Sequence, residues 1–433
     1  MTAPKNPLRF AIVMEHEQIV FVGTSDLSGH FRGKSFPLSD LQSRLHRGVN
    51  LALTNLFLSA FGPIQFSPFG TSGEVLLIPD SATRVLVPFE GHSHEHFYLG
   101  DLCTLEGEPW EFCPRHILRR ALKSLHQETG LTLLASFEQE LVYTGVPAGP
   151  SQPYELDAYR RQGPFGELLL GAMRQAGVIP DSFLAEYGPR QYEVTSAPAR
   201  GLRAADEAVI TRELAQAVAF RLGHRVSLAP MLEAGGVTSG THIHWSFLDG
   251  RNQPALYDEA RQWRISEIGG QFAAGILHHL NALCAASAPS VASYYRLRPG
   301  GWAPAQNNIG LYDRGAAIRV CSVTSRDPAL RARQFNLEFR VADATCNPYL
   351  TLALMVQAGL EGIRSRRDLT QLTTQPLPAS LGDALNDLQR SEMSALAMGP
   401  AVLAAYLEFK RAEIRSLEKL DENEICRRYA EVY

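Results

Sequence analysis

The chain has 433 residues, 45% of them apolar and 20% charged, with 41 basic against 45 acidic side chains and a formal net charge of -4. That is the composition of an ordinary folded protein with room for two or three domains, and it excludes extended disorder. The slight acidity and the lack of a basic run exclude binding driven by phosphate neutralisation, so small molecules are the expected partners and nucleic acid is not.

The opening segment, "MTAPKNPLRFAIVMEHEQIVFVG", alternates apolar and charged residues as a strand does and has no apolar core of the kind a signal peptide carries. Six cysteines, Cys103, Cys113, Cys284, Cys321, Cys346 and Cys426, are scattered singly without zinc spacing. Reduced thiols and a cytoplasmic location are the expectation. No segment reaches the roughly 18 uninterrupted apolar residues a membrane helix needs. "QFAAGILHHLNALCAASA" comes nearest and reads as a buried core helix, so no membrane partner is expected.

Between residue 7 and about residue 105, the short alternating segments "RFAIVM", "IVFVGTSDL", "VLLIPD" and "TRVLVPF" predict a small, mostly β domain. After Pro114, "RHILRRALKSLHQETG" has helical periodicity ending at Gly130, and "LTLLASFEQELVYTG" then switches to period two. A second domain therefore starts near residue 106. Helical stretches near 203–222, 258–287, 348–366 and 398–419 alternate with strand-like segments without a strict βαβ order, which predicts an α+β catalytic domain. "TTQPLPASLGD" is the only linker-like segment and is too short to separate another domain.

Five segments carry the chemistry. In "LASFEQELVY", Glu138 and Glu140 point to one face of a strand, either as a solvated edge or as a pair made favourable by a divalent cation. In "EYGPRQYEV", a Gly-Pro turn can fold Glu186 back beside Glu193, whose strand face Gln191 shares; read alone, the string also fits a polar loop. "GVTSGTHIHWSF" places His242 and His244 on one strand face after a Gly/Ser-rich approach, with no third histidine or cysteine to complete a zinc set. In "NLEFRVADATCNPYL", Glu338 and Arg340 share a face, as a salt bridge or a functional pair, and a helix should start at Asn347-Pro348. Last, "YYRLRPGGWAPAQNNIGLYDRGAAIRV" concentrates Arg296, Arg298, Arg314 and Arg319 around a Gly-rich loop, a composition suited to phosphate and carboxylate.

In this order the segments resemble the glutamine synthetase superfamily from "DLSGHFRGKSFP" to "NPYLTLALMVQAGLEGI". The resemblance implies a small β-grasp-like domain over residues 1–105 and a catalytic domain over 106–433 with a curved, mostly antiparallel sheet flanked by helices. By the same resemblance Glu140, Glu186 and Glu193 hold one metal and Glu138, His242 and Glu338 another, an oxygen-rich set that favours magnesium or manganese. Arg314, Arg319 and Arg340 neutralise the transferred phosphoryl group and the phosphates of ATP. His244 and Ser246 face the nucleotide, and Arg296 grips the carboxylate of glutamate. Asp26 reaches into the adjoining subunit of a homo-oligomeric ring, whose sites lie between subunits.

Two positions depart from that pattern. A glutamate that completes the ammonium pocket in true glutamine synthetases is replaced by Trp302, which points to an organic amine as nucleophile. Val237 and Thr238 stand where the family has Asn-Gly near the amino-acid substrate, which leaves a carboxylate other than glutamate open. The expected activity is therefore ATP-dependent formation of a γ-glutamylamide. The alternatives are glutamine synthetase using ammonia and a catalytically silent nucleotide- or glutamate-binding relative.

Overall fold

A computed structural model describes residues 17–147, 152–300 and 303–433. Its first unit is a sheet of β1 (Ile19–Ser25), β2 (Phe31–Pro37), β3 (Val49–Ala52), β4 (Glu74–Pro79), β5 (Val85–Val87) and β6 (Glu95–Cys103). The spatial order is β2-β1-β6-β4-β3 with β5 also on β6, and the first and last strands adjoin in parallel in an otherwise antiparallel sheet. Val20 and Val22 alternate into the core with no exposed surface. At Gly33 a Cβ would stand 1.7 Å from the Val22 carbonyl oxygen, so only glycine lets β2 lie this close to β1. "RFAIVM" lies outside the described residues.

The larger unit is built on β7 (Thr132–Tyr143), the longest strand. Its remaining strands are β8 (Pro180–Ala185), β9 (Gln191–Ser196), β10 (Ala199–Arg200), β11 (Val226–Ser227), β12 (Thr241–Leu248), β13 (Ile309–Leu311), β14 (Ile318–Val320) and β15 (Leu337–Phe339). They run in the order β13-β14-β15-β12-β7-β9-β8, with β10 and β11 paired to the two ends of β7. Among the described strands of this sheet, only β13 and β14 pair in parallel. The architecture is α+β, as expected.

On β7 the alternate residues Leu133, Ala135, Phe137, Gln139 and Leu141 are buried, and Ser136, Glu138 and Glu140 face the other way. Helices Pro114–Thr129 and Leu202–Arg221 pack against β7, and the apolar helix Pro348–Arg364 packs on both helices. The expected helix end at Gly130 is present as a left-handed cap with φ of 70°. Asn347 caps the helix that begins at Pro348 by accepting from the Tyr349 and Leu350 amides, both at 3.0 Å.

One helical expectation was too long, and another was met to within two residues at each end. The stretch 258–287 is helical only over Glu267–His278 and Leu280–Ser287. Trp263 and Arg264 have positive φ of 53° and 61°, which no helix continues through, and the Ser266 hydroxyl then starts a new one by accepting from the Gly269 amide. The stretch 398–419 contains Pro400–Leu417, set apart from Glu392–Met398 by Gly399. No described helix is long and apolar enough to cross a membrane.

Beside a continuous apolar core, two buried polar side chains join the units that carry the sheets. Arg115, with no exposed surface, forms a bidentate pair with Asp206 of the larger unit, with both contacts at 2.9 Å, and reaches Asp101 at 2.8 Å and Asp80 at 3.0 Å in the smaller one. Asn347 also donates to the backbone oxygens of Ser25 at 3.1 Å and Asp26 at 2.9 Å.

Candidate active site

Strand register assembles the site. Antiparallel pairing sets His242 of β12 opposite Glu138 of β7, and Glu140 opposite Glu193 of β9. Across the other edge of β12, His244 faces Glu338 of β15, which in turn faces Arg319 of β14. Directly opposed residues share a face, so five strands deliver one continuous polar row.

The row is tightly connected. His242 Nδ1 lies 2.6 Å from Glu138 Oε1 and 3.4 Å from Glu338 Oε1. His244 Nε2 lies 3.3 Å from Glu138 Oε2, and its Nδ1 stands 2.9 Å from the Asn336 side-chain oxygen. Glu338, fully buried, is paired with both Arg319 and Arg340. Glu140 accepts from the Gly240 amide at 2.8 Å and from Gln191 Nε2 at 3.3 Å. Gln191 Nε2 also reaches the Thr238 carbonyl at 2.9 Å and Ser239 Oγ at 3.0 Å, tying the approach loop to the sheet.

Two groups of side chains bring ligand atoms within 4.8 Å of one another: Glu138, His242 and Glu338, and Glu138, Glu140 and Glu193. The first is the expected set. The second has Glu138 in place of Glu186, which sits in the β8–β9 turn with its carboxylate accepting from the Tyr154 hydroxyl at 2.9 Å and its own neighbour's amide at 3.2 Å.

The electrostatics call for a cation. Burial, then the charges of Glu138, Glu140 and Glu186, push the Glu193 carboxyl up to about 10. Burial, then Glu140, raises Glu186 as well. Burial alone would raise Glu138, but hydrogen bonds from His242 and His244 hold it well below the usual carboxylate range. Glu338 is also lowered, against burial, by the two histidines and Arg340. A buried group of carboxylates, with His242 among them, fits a hard divalent ion.

The arginines separate. Arg296 is buried and donates to the Val341 and Arg340 carbonyls at 2.8 and 2.9 Å; Gly240 leaves room for it, because a Cβ there would stand 2.7 Å from its guanidinium and 2.6 Å from His242 Nε2. Arg340 also donates to the Arg314 carbonyl at 2.8 Å, placing the exposed turn that carries Arg314 beside the row. Arg298 is turned away from any anion site, pairing with Glu422 at 2.7 Å on the surface. Ser246 follows His244 on the same face of β12. Val237 is exposed, and Thr238 contributes its carbonyl to Gln191. Trp302 lies outside the described residues.

Asp26 stands apart. Its carboxylate is buried in the smaller unit, paired with Arg32 and accepting from the Ser28 and His30 amides at 2.8 and 3.0 Å. Burial outweighs these partners and raises it to about 6.

Sequence reasoning missed Tyr154, Asn336 and Cys321. Cys321 Sγ lies 3.7 Å from His244 Nδ1 and 3.9 Å from Glu338 Oε2, beside a cavity of about 280 Å³ also lined by Trp263, Tyr312 and Phe335. Its position two residues after Arg319 was the available signal. Tyr154 gave none, since its contact with Glu186 depends on a positive φ of 61°.

The family model for the glutamine synthetase catalytic domain matches residues 111–429, and that for the glutamine synthetase N-terminal domain matches residues 7–110. The chain belongs to the glutamine synthetase family. This family member is an ATP-dependent ligase. Among its relatives, a gamma-glutamylpolyamine synthetase of Streptomyces coelicolor is 31% identical over 93% of this chain and 91% of its own length. A gamma-glutamylanilide synthase of an Acinetobacter species is 26% identical over 92% of this chain and 87% of its own. The crystal structure of a novel glutamine synthase homolog superposes with a TM-score of 0.92 at 40% identity, covering 97% of this chain and 99% of that one.

Proposed function

We propose that this ligase joins the γ-carboxylate of glutamate, or a related carboxylate, to an organic amine. A carboxylate oxygen takes the γ-phosphoryl group of ATP to give an acyl phosphate and ADP. The amine nitrogen then attacks the acyl carbon, inorganic phosphate leaves, and the nitrogen loses a proton to give the amide. The observation that carries the reading is the pair of donor groups sharing Glu138, backed by Arg319 and Arg340 on Glu338.

Glu138, His242 and Glu338 suit one magnesium or manganese ion, and Glu140 and Glu193, sharing Glu138 and with Glu186 in the adjoining turn, suit a second. When bound, these ions supply charge neutralisation for the phosphates of ATP and for the leaving oxygen. Arg314, Arg319 and Arg340 would add guanidinium charge around the transferred group. The cavity lined by Cys321, whose thiol contacts His244, is the space we assign to the nucleotide, with Ser246 two residues further along the same strand face. Arg296, with its position set by two backbone carbonyls, would hold the amino-acid carboxylate beside Val237 and Thr238.

For the acceptor, the indole of Trp302 in place of a carboxylate favours an alkyl or aryl amine over ammonium. The names of the two curated relatives, a polyamine and an anilide synthetase, support the same reading. Asp26 is the candidate to take up the amine's proton, at a neighbouring subunit's site in a homo-oligomeric ring. We keep the division into residues 1–105 and 106–433 and a cytoplasmic location as part of this proposal.

Phosphate release by purified enzyme with ATP, magnesium and glutamate tests it. At least one organic amine in a panel should give a higher kcat/KM than ammonium; ammonium outperforming every amine would make this a glutamine synthetase instead.

A further inference from the structure

The backbone around the cavity beside Cys321 departs from ordinary geometry. Among the described residues seven other than glycine have positive φ, and three of them, Trp263 at 53°, Arg264 at 61° and Tyr312 at 59°, line this one space. Glycine takes such angles without strain and a bulky residue does not, so an indole and a phenol kept there point to a use for the side chains. Backbone bonds hold the conformation. The Arg264 carbonyl accepts from the Asp258 amide at 2.9 Å, the Arg264 amide donates to the Arg261 carbonyl at 2.9 Å, and the Tyr312 amide donates to the Val320 carbonyl at 3.1 Å.

Trp263, Tyr312 and Phe335 give the cavity aromatic walls, and about 280 Å³ is at the small end for a ligand site, room for a flat ring system rather than a whole nucleotide. Tyr312 is 53% exposed and Trp263 half-buried, so both residues keep surface for a ligand. The charge of the lining argues against an amine. Glu259 is paired with Arg331 at 2.9 Å and Arg261 with Glu267 at 2.6 Å, while among the described residues Arg264 is in no ion pair, which leaves the lining positive. Such a lining repels a cationic amine and accepts a neutral ring carried on an anion. The space also adjoins the metal row, since the Cys321 thiol lies 3.7 Å from His244, which is 3.3 Å from Glu138.

We propose that the base of ATP stacks on the Trp263 indole in this cavity, with Tyr312 as a second wall. This rests on the assignment of the cavity to the nucleotide made above.

Magnesium-ADP and magnesium pyrophosphate, which has no base, are the probes, titrated calorimetrically into the full chain. Trp263→Gly keeps the loop, because glycine adopts a φ of 53° without strain. It should weaken ADP binding about tenfold to a hundredfold, the scale of deleting a stacked aromatic, and leave pyrophosphate within about twofold. Trp263→Phe should recover most of the loss. Equal weakening of both ligands would mean that the loop only supports the site, and it overturns the proposal, as does unchanged ADP binding. Val323→Trp, which fills the same cavity, tells a wrong base position from a wrong cavity. If it excludes ADP while Trp263→Gly binds ADP like wild type, the nucleotide lies here but off the indole, and the proposal alone falls. If neither variant matters, the assignment of the cavity falls with it. Should Trp263→Gly not fold, Tyr312→Gly gives the same comparison at a φ of 59°, and equal effects on the two ligands overturn the proposal there too.

Discussion

Glu138 is the one carboxylate common to both donor groups, and it is also the atom pair on which both site histidines converge. Its removal should disable both proposed metal positions at once. Glu138→Ala is expected to lower ATP-dependent phosphate release by about a thousandfold or more, the scale of losing charge stabilisation in a closed site. Turnover near wild type would overturn the site assignment. Glu193 gives a prediction in pH. Its folded-state carboxyl sits at about 10 against an ordinary 4.5, so folding takes up a proton between those values. The stability this confers is fully present below the lower value and is lost as pH rises towards the upper one. In chelator, the melting temperature of wild type should therefore fall relative to Glu193→Gln between about pH 6 and about pH 9. Saturating magnesium should remove the difference by supplying the counter-charge. A parallel pH dependence in the two proteins would mean that the group around Glu193 is not the strained one.

At the level of elements, the two-residue spacings of Glu138/Glu140 and His242/His244 were legible because a strand has period two. What pairs with them was not. His242 meets Glu138 across a separation of 104 residues, and no local pattern encodes that register. The same limit explains why the sequence left salt bridge and metal site open for Glu338, and why it grouped Arg298 with the anion-binding arginines although Glu422 takes it to the surface. Helix ends were legible where a cap announces them, as at Gly130 and Asn347, and were missed at Trp263 and Arg264, where bulky residues adopt a left-handed conformation they rarely favour. The β12 approach carries its own prediction. Gly240→Ala places a methyl group against His242 and Arg296, so one of them must move. The variant should remain folded by circular dichroism. Its kcat/KM for the carboxylate substrate should fall by about a hundredfold, the cost of misplacing groups by about an ångström. Unchanged kinetics would separate Arg296 from substrate binding.

For the whole molecule, the position of Asp26 relative to the catalytic sheet depends on a few buried polar contacts rather than on a broad apolar seam alone. Asn347 caps its own helix while donating to the Ser25 and Asp26 carbonyls, so Asn347→Ala removes both functions and should cost roughly 2 kcal/mol in urea unfolding. Arg115 matters more. Among the described residues it is the sole cation bonded to Asp206, which also accepts from the Tyr349 hydroxyl at 2.7 Å, and it shares Asp101 with the more exposed Arg119. Burial works against its charge, but Asp206 first and Asp101 further down hold its pKa well above the ordinary arginine value. Taking away the guanidinium leaves Asp206 buried without a counter-ion, a loss of about 3–5 kcal/mol. Arg115→Ala should thus abolish or sharply lower the yield of folded protein. Arg298→Ala breaks only a surface pair whose partners are 53% and 47% exposed, and should change stability by less than about 1 kcal/mol. Thermal melts of the two variants side by side decide the matter. Equal effects would mean that the apolar core, not Arg115, fixes the smaller sheet to the catalytic one, and Asp26 would then owe its placement to packing.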